Sequence, residues 1–184
     1  MPQKVLIIDT SILCVWIGIP DKETCGPNHD KWDKERVEAF IQRETGDGAT
    51  LVLPLASIIE TGNHIAQART AQKRDLAISL SDKMKMAAEE KTPWAAFTDQ
   101  QDLWDSDGLK KLADEWPDLA VQGISLGDAT IKSVADRYVR AGFLVEILTG
   151  DVGLKSLEPM PLLKRSKRHE RRRNQRGNGR QTNG

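Results

Sequence analysis

The amino-acid sequence predicts an α/β fold, with a mainly parallel central sheet of about four to five strands and helices on both faces. Short apolar, β-branched runs alternate along the chain with segments whose apolar residues recur at helical spacing. Such alternation is typical of strands joined by helical crossovers, which make neighbouring strands parallel. At 184 residues, 39% of them hydrophobic, the chain can build one core.

The first half of the chain predicts two strands and three helices. Residues 5–8 form an apolar run that stops at Asp9, as expected of a buried strand that meets a loop. Pro54 directly follows the second apolar run and is well placed to open a helix. The predicted order is a strand over 5–8, a helix over 33–45, a strand over 51–53, a helix over 54–68 and a helix over 72–90.

The second half begins with a segment that has no clear period. Residues 91–118 are therefore predicted to be an irregular excursion with one short helix over 109–115. Apolar spacing then predicts a helix over 128–141 that ends at Gly142. The remaining apolar runs predict strands over 119–124, 143–148 and 160–163.

Charge divides the chain into a body and a tail. Residues 164–184 hold nine of the 27 Lys and Arg residues but only one of the 27 acids, so the tail carries a formal charge of +8 and residues 1–163 carry −8. With so few apolar residues, we expect the tail to be disordered when free and residues 1–163 to fold. The candidate nucleic-acid-binding residues of the tail are Lys164, Arg165, Lys167, Arg168, Arg171, Arg172, Arg173, Arg176 and Arg180.

Three interpretations of the tail stay open at this point. It could be an arm that neutralises phosphates, a solubilising segment with no part in the activity, or a cover over an acidic surface of the body. Attachment to anionic membranes would be weak without an amphipathic or lipidated partner segment.

Because the N-terminal apolar run is too short for a leader or a membrane span, we expect a cytoplasmic protein that does not enter membranes. Cys14 and Cys25 are expected to be free thiols.

Carboxylates interrupt the strand and helix pattern at four places. Asp9 and Asp151 each follow an apolar strand, and the carboxyl ends of parallel strands meet at one edge of a sheet. Asp128 follows Gly127 at a predicted helix start, where free N–H groups favour an ionised carboxylate. Glu60 lies in the first half of its helix. Each acid alone could be a turn, cap or solvated residue, but together they would repel one another unless cations such as Mg²⁺ or Mn²⁺ compensate.

The order of these pieces resembles the PIN-domain family. The segments that carry the resemblance are the apolar run that ends in Asp9-Thr10-Ser11, then Glu60-x-x-Asn63, then Gly127-Asp128, then Thr149-Gly150-Asp151, over roughly residues 4–160. PIN domains are metal-dependent nucleases that include toxins of toxin–antitoxin pairs and RNA-processing factors. They are built on a parallel sheet with the acids at one edge.

The resemblance implies an endoribonuclease that cuts single-stranded RNA with Mg²⁺ or Mn²⁺. Asp9, Glu60, Asp128 and Asp151 would be the catalytic and metal-binding acids, and the supporting polar residues would be Ser11, Asn63 and Thr149. A toxin of this kind would be occluded by an antitoxin, and the sequence leaves open whether the chain forms a homodimer. The chain departs from many members of the family at Lys132, where a further acid would be expected, and this departure bears on a second metal.

Two rival functions come from other classes. The first is an inactive PIN-like scaffold that binds nucleic acid through its basic tail, although the presence of all four acids argues against it. The second is a phosphohydrolase of the haloacid dehalogenase type, which needs a second aspartate two residues after the first, where this chain has Ser11.

Other residues that could carry chemistry have simpler explanations. His64 is expected to be a partly buried structural histidine more often than a metal or phosphate ligand. Trp94, Trp104 and Trp116 could stack on bases but are better explained by packing. The acids at 99, 102, 105 and 107 lack the spacing of a calcium loop and are expected to be a solvated face.

Overall fold

The computed structural model describes residues 2–160. Its strands are β1 Lys4–Ile8, β2 Thr24–Cys25, β3 Trp32–Asp33, β4 Thr50–Val52 and β5 Leu144–Leu148. Its helices are α1 Thr10–Ile17, α2 Lys34–Gly46, α3 Leu55–Gln67, α4 Lys73–Ala88, α5 Ser106–Val121, α6 Leu126–Arg140 and α7 Val152–Ser156, with a 3-10 helix over Phe97–Leu103. The basic tail and most of the strand predicted over 160–163 lie outside the described residues.

The central sheet has three parallel strands in the order β4-β1-β5. The α/β class and the parallel strands are therefore confirmed. The expected count of four to five strands is wrong for residues 2–160, because their only other strands, β2 and β3, form a separate antiparallel pair.

Helices cover both faces of the sheet, because side chains of β1 alternate between two apolar cores. Leu6 and Ile8 lie in a core shared with α1, α2 and α4. Val5 and Ile7 lie in a core shared with α6 and α7. A strand buried on both faces explains the continuous apolar run in the sequence.

The excursion over 91–118 is more regular than predicted. Instead of a short helix over 109–115, the structure has α5 over Ser106–Val121. Asp105 caps the start of this helix by accepting hydrogen bonds from the N–H groups of Asp107 and Gly108, at 3.0 and 2.8 Å. Pro117 is accommodated inside the helix.

The strand predicted over 119–124 is wrong, since these residues complete α5 and the turn that follows it. The indole N–H of Trp116 donates to the carbonyl oxygen of Ile124 at 3.3 Å, which ties α5 to the segment that leads into α6. Within residues 2–160, no helix is long and apolar enough to cross a membrane.

Candidate functional site

Asp9 lies at the centre of the candidate site, directly after β1. Its backbone N–H donates to the carbonyl oxygen of Leu148 at 3.1 Å, so the end of β1 is joined to the end of β5. The loop expected after Asp9 is instead α1, and the Asp9 carboxylate caps that helix by accepting from the N–H groups of Thr10 and Ser11 at 2.6 and 3.3 Å. Asp9 is therefore held by both the sheet and a helix.

Two hydroxyl groups complete the surroundings of the Asp9 carboxylate. Ser11 Oγ donates to Asp9 Oδ2 at 2.6 Å, and Thr149 Oγ1 donates to the same oxygen at 2.7 Å. The side chain is almost fully buried, with 4% of its surface exposed. Burial raises the pKa of Asp9, and the hydrogen bonds from Ser11 and Thr149 offset only part of that rise.

Glu60 reaches the same region from α3. The hydroxyl of Ser57, one turn earlier on α3, donates to the carbonyl oxygen of Ile8 at 2.8 Å and anchors the helix at the end of β1. Thr10 Oγ1 then donates to Glu60 Oε2 at 2.6 Å, so Thr10 links the surroundings of Asp9 to Glu60. The Glu60 carboxylate occupies the space that a side chain at Gly127 would fill.

Asp128 lies in the first turn of α6, which Ser125 caps. Asp128 N–H donates to Ser125 Oγ at 3.0 Å, and the Ser125 hydroxyl donates to Asp128 Oδ2 at 2.8 Å. The residues have the Ser-x-x-Asp spacing of a capping box, but the Asp128 carboxylate accepts from the Ser125 hydroxyl in place of the Ser125 N–H. This pairing orients the Asp128 carboxylate at the positive end of the α6 dipole.

Asp151 caps the start of α7, shortly after β5. Its carboxylate accepts from the N–H of Leu154 at 2.9 Å, and its own N–H donates to Thr149 Oγ1 at 2.9 Å. Gly150 packs closely against the hairpin formed by β2 and β3. A Cβ atom at this position would lie only 2.6 Å from Cys25 Sγ. Only glycine allows the two segments to approach so closely.

All four predicted acids line one cleft of about 440 Å³, which we call the acidic cleft. Asp21 adds a fifth carboxylate, and Lys22, Cys14, Cys25 and His64 also contribute to its walls. Each of the four predicted acids comes from a different part of the fold, and the cleft opens where β1 and β5 end. The strand ends indicated one crevice for Asp9 and Asp151, and the resemblance added Glu60 and Asp128.

The acids do not form a ready-made metal cage. Within residues 2–160, no group of three or more Asp, Glu, His or Cys side chains is arranged to hold a metal ion. Three of the four carboxylates are turned toward partners of their own, namely Thr10 for Glu60, Ser125 for Asp128 and the Leu154 N–H for Asp151. Their donor chemistry fits Mg²⁺ or Mn²⁺, but their side chains would have to turn to bind one ion together.

The supporting residues differ in where they lie. Ser11 and Thr149 contact Asp9 directly. Asn63 is exposed and is not among the residues that line the acidic cleft. The resemblance implied that Asn63 supports the acids, whereas the side chain that holds the Glu60 carboxylate is Thr10.

His64 is half-buried and lines the acidic cleft, so the structure is compatible with both of its interpretations. Trp94 serves packing, as predicted, because it is buried and stacks on Trp16 with ring centroids 6.1 Å apart. Trp116 is half-buried, and Trp104 is exposed. Lys132 pairs with Asp136 on α6 at 2.6 Å. It does not line the cleft.

The acids at 99, 102, 105 and 107 are exposed, as expected of a solvated face, but each also has a contact. Asp99 accepts from the Tyr138 hydroxyl at 3.4 Å, and Asp107 pairs with Lys110 at 3.6 Å. Asp102 pairs with Arg137 of α6, and Asp105 caps α5.

Both cysteines are free, as predicted. Burial raises the pKa of the Cys14 thiol to about 11 and also raises that of Cys25, so neither thiol is ionised at neutral pH.

The residues that shape the site and that sequence reasoning missed include Thr10, Asp21, Lys22 and Ser125. Ser125 could have been found from the Ser-x-x-Asp spacing of a capping box. Nothing local distinguishes Thr10 or Lys22, because each acquires its place only when distant segments meet. No protein-family model, curated protein or solved structure matches this chain.

Proposed function

We propose that this chain is a divalent-metal-dependent nuclease of the PIN type that hydrolyses phosphodiester bonds in single-stranded RNA. The observation that carries the proposal is that Asp9, Glu60, Asp128 and Asp151 come from four separate parts of the fold and line one cleft. The cleft lies at the carboxyl edge of a parallel sheet, where open α/β folds bind ligands. The resemblance to PIN domains supports RNA as the substrate.

The residues of the cleft would divide the work as follows. When bound, Mg²⁺ or Mn²⁺ would orient the phosphate and lower the pKa of a water molecule. Asp9 would be the fixed ligand, because Ser11, Thr149 and two backbone N–H groups already hold its carboxylate. Glu60 and Asp128 would turn from their hydroxyl partners toward the ion, and Asp151 would do so from α7. The attacking group is water, so no nucleophilic side chain is required.

A second candidate is a PIN-like protein without catalytic activity that binds nucleic acid. The observation that favours it is the lack of a ready-made cage among residues 2–160. The buried Asp9 argues against it, since a buried carboxylate with a raised pKa costs stability and is typical of functional sites. An antitoxin partner, a homodimer and a cytoplasmic location stay predictions.

The test of the proposal is cleavage of unstructured and structured RNA and DNA by the full chain. Unstructured RNA should be cut with Mn²⁺ or Mg²⁺, and cleavage should disappear with EDTA, because oxygen ligands bind these ions and the reaction depends on them. Restoring activity with excess Mn²⁺ is the control for damage by the chelator. Cleavage that persists in EDTA would contradict a metal-dependent reaction, and RNA binding without cleavage would favour the second candidate.

A further prediction concerns the basic tail, which lies outside the described residues. Deleting 164–184 should weaken RNA binding and make its dependence on salt shallower, because each phosphate that the tail neutralises on a single strand adds about 0.7 to the log–log slope. The rate at saturating RNA should not change if the tail is an arm.

The matched control keeps the length of the tail and replaces its nine Lys and Arg residues by Gln. A loss of binding that appears in both variants is caused by charge. Faster cleavage at low salt after deletion would instead indicate that the tail covers the acidic cleft, and no change in binding or rate would show that the tail takes no part.

A further inference from the structure

The acidic cleft contains a single strong cation. Among the described residues that line it, Lys22 is the only lysine or arginine, whereas five lining residues are carboxylates. A cleft with this balance repels a phosphodiester, because like charges at close range interact strongly in a partly buried site. One divalent ion would offset only two of the five carboxylates, so the charge of Lys22 matters to the balance of the loaded cleft.

The backbone holds Lys22 at the cleft through a tight turn. Lys22 N–H donates to the carbonyl oxygen of Ile19 at 3.0 Å, with Pro20 and Asp21 between them. Asp21 has a φ of 64°, in the left-handed region that a type II turn requires at this place. Ile19 is buried, with 1% of its surface exposed, and therefore anchors the turn in the core.

The Lys22 side chain is exposed and not engaged by the described part of the protein. Within residues 2–160, its ammonium group takes part in none of the ion pairs, which involve other lysines such as Lys4, Lys132 and Lys155. Its charge nevertheless acts inside the cleft. Burial raises the pKa of Cys14 to about 11, and the positive charge of Lys22 opposes part of that rise.

We propose that Lys22 binds the phosphate of the substrate in the acidic cleft. Its ammonium would donate to a non-bridging oxygen of the phosphodiester and so offset the repulsion from the carboxylates. Lys22 lies on an anchored turn that lines the cleft, and among the described residues no acid pairs with its ammonium group. Both features suit this role. The inference rests on the proposed nuclease function.

The test compares Lys22→Met, Lys22→Arg and the control Lys31→Met in the full chain. Lys31 is exposed, lies in the same hairpin region and does not line the acidic cleft. With a four-nucleotide RNA and Mn²⁺, Lys22→Met should lower kcat/KM by about tenfold to a hundredfold, the range expected when one charge-assisted hydrogen bond is removed. Lys22→Arg should stay within about threefold of the natural chain because the charge is kept. Lys31→Met should not change kcat/KM.

An NMR titration of the full chain with adenosine 5′-monophosphate and Mg²⁺ measures binding, and it tests the role of Lys22 without any cleavage. Lys22→Met should weaken this binding by about tenfold, with a thermal unfolding midpoint equal to that of the natural chain. If the natural chain binds the nucleotide but cuts no RNA, the nuclease function fails while the titration still decides the role of Lys22. Equal binding by the natural chain and Lys22→Met, or equal losses in Lys22→Met and Lys31→Met, would overturn the assignment.

Discussion

Asp9→Asn is expected to lower RNA cleavage by more than about a hundredfold, because even groups that only support a metal ligand are typically worth tenfold to a hundredfold. Asparagine has nearly the same shape as aspartate but lacks its charge and one of its two acceptor oxygens. Cleavage rates at saturating Mn²⁺ and RNA measure the loss. Excess Mn²⁺ should not restore the rate if the carboxylate is the fixed ligand.

The same substitution should leave the fold intact. Burial raises the pKa of Asp9, so at neutral pH its ionised form is less favourable in the folded chain than in the unfolded one. Asparagine removes that cost, but it weakens the charge-assisted bonds from Ser11 and Thr149 and puts an NH₂ donor where Oδ1 accepts from the Thr10 N–H. Because the two effects oppose each other, the unfolding temperature measured in EDTA should stay within a few degrees.

Asp33→Asn is the matched control. Asp33 also caps a helix, since it accepts from the N–H of Arg36 at 2.9 Å at the start of α2, but it is exposed and outside the acidic cleft. Asparagine is about as good a cap as aspartate, so neither stability nor cleavage should change much. Full activity of Asp9→Asn would contradict the proposed site, as would an equal loss in both variants.

The elements that sequence could locate are those with a visible period or a clear boundary. The strands β1, β4 and β5 correspond to apolar runs, although Glu146 interrupts that of β5, and α2, α3, α4 and α6 have buried apolar residues at helical spacing. These elements place Asp9, Glu60 and Asp128, which is why three of the four acids could be assigned to a strand end, a helix side and a helix start. Asp151 followed from the end of β5.

The elements that sequence could not locate lack such signals. In α1 six of eight residues are buried, so its apolar residues show no helical period, and a loop was expected there. The strands β2 and β3 have two residues each, too few for an alternation. Pro117 concealed the length of α5. Lys22 lies between α1 and β2, and its place in the cleft therefore could not be predicted.

The second large effect is expected from Gly127→Ala, which adds one methyl group at the start of α6. That methyl group would overlap Glu60 Oε1 and lie 3.0 Å from Glu60 Cδ. Glu60 is partly exposed and can swing away, but its carboxylate would then leave its present place beside Gly127, from which it is proposed to turn toward the ion. Misplacing a catalytic group by about 1 Å can cost a hundredfold, so we expect cleavage to fall by about tenfold to a hundredfold.

Gly62→Ala is the control for this change. Gly62 lies in α3 two residues after Glu60, and a methyl group there would meet only Leu80 Cδ2, at 3.9 Å. Alanine inside a helix is more stable than glycine by roughly 0.5–1 kcal/mol, so this variant should unfold at a slightly higher temperature. Its cleavage rate should equal that of the natural chain.

A double-mutant cycle decides whether Gly127→Ala acts through Glu60. If the methyl group lowers cleavage only by displacing the Glu60 carboxylate, then adding it to a Glu60→Gln chain should cost little more, because the displaced group has already lost its charge. Additive losses would mean that Gly127→Ala disturbs something else, such as the orientation of Asp128 one residue later on α6. Gly127→Ala leaves every proposed ligand in the chain. Non-additive losses would therefore show that cleavage depends on the position of the Glu60 carboxylate as well as on its presence.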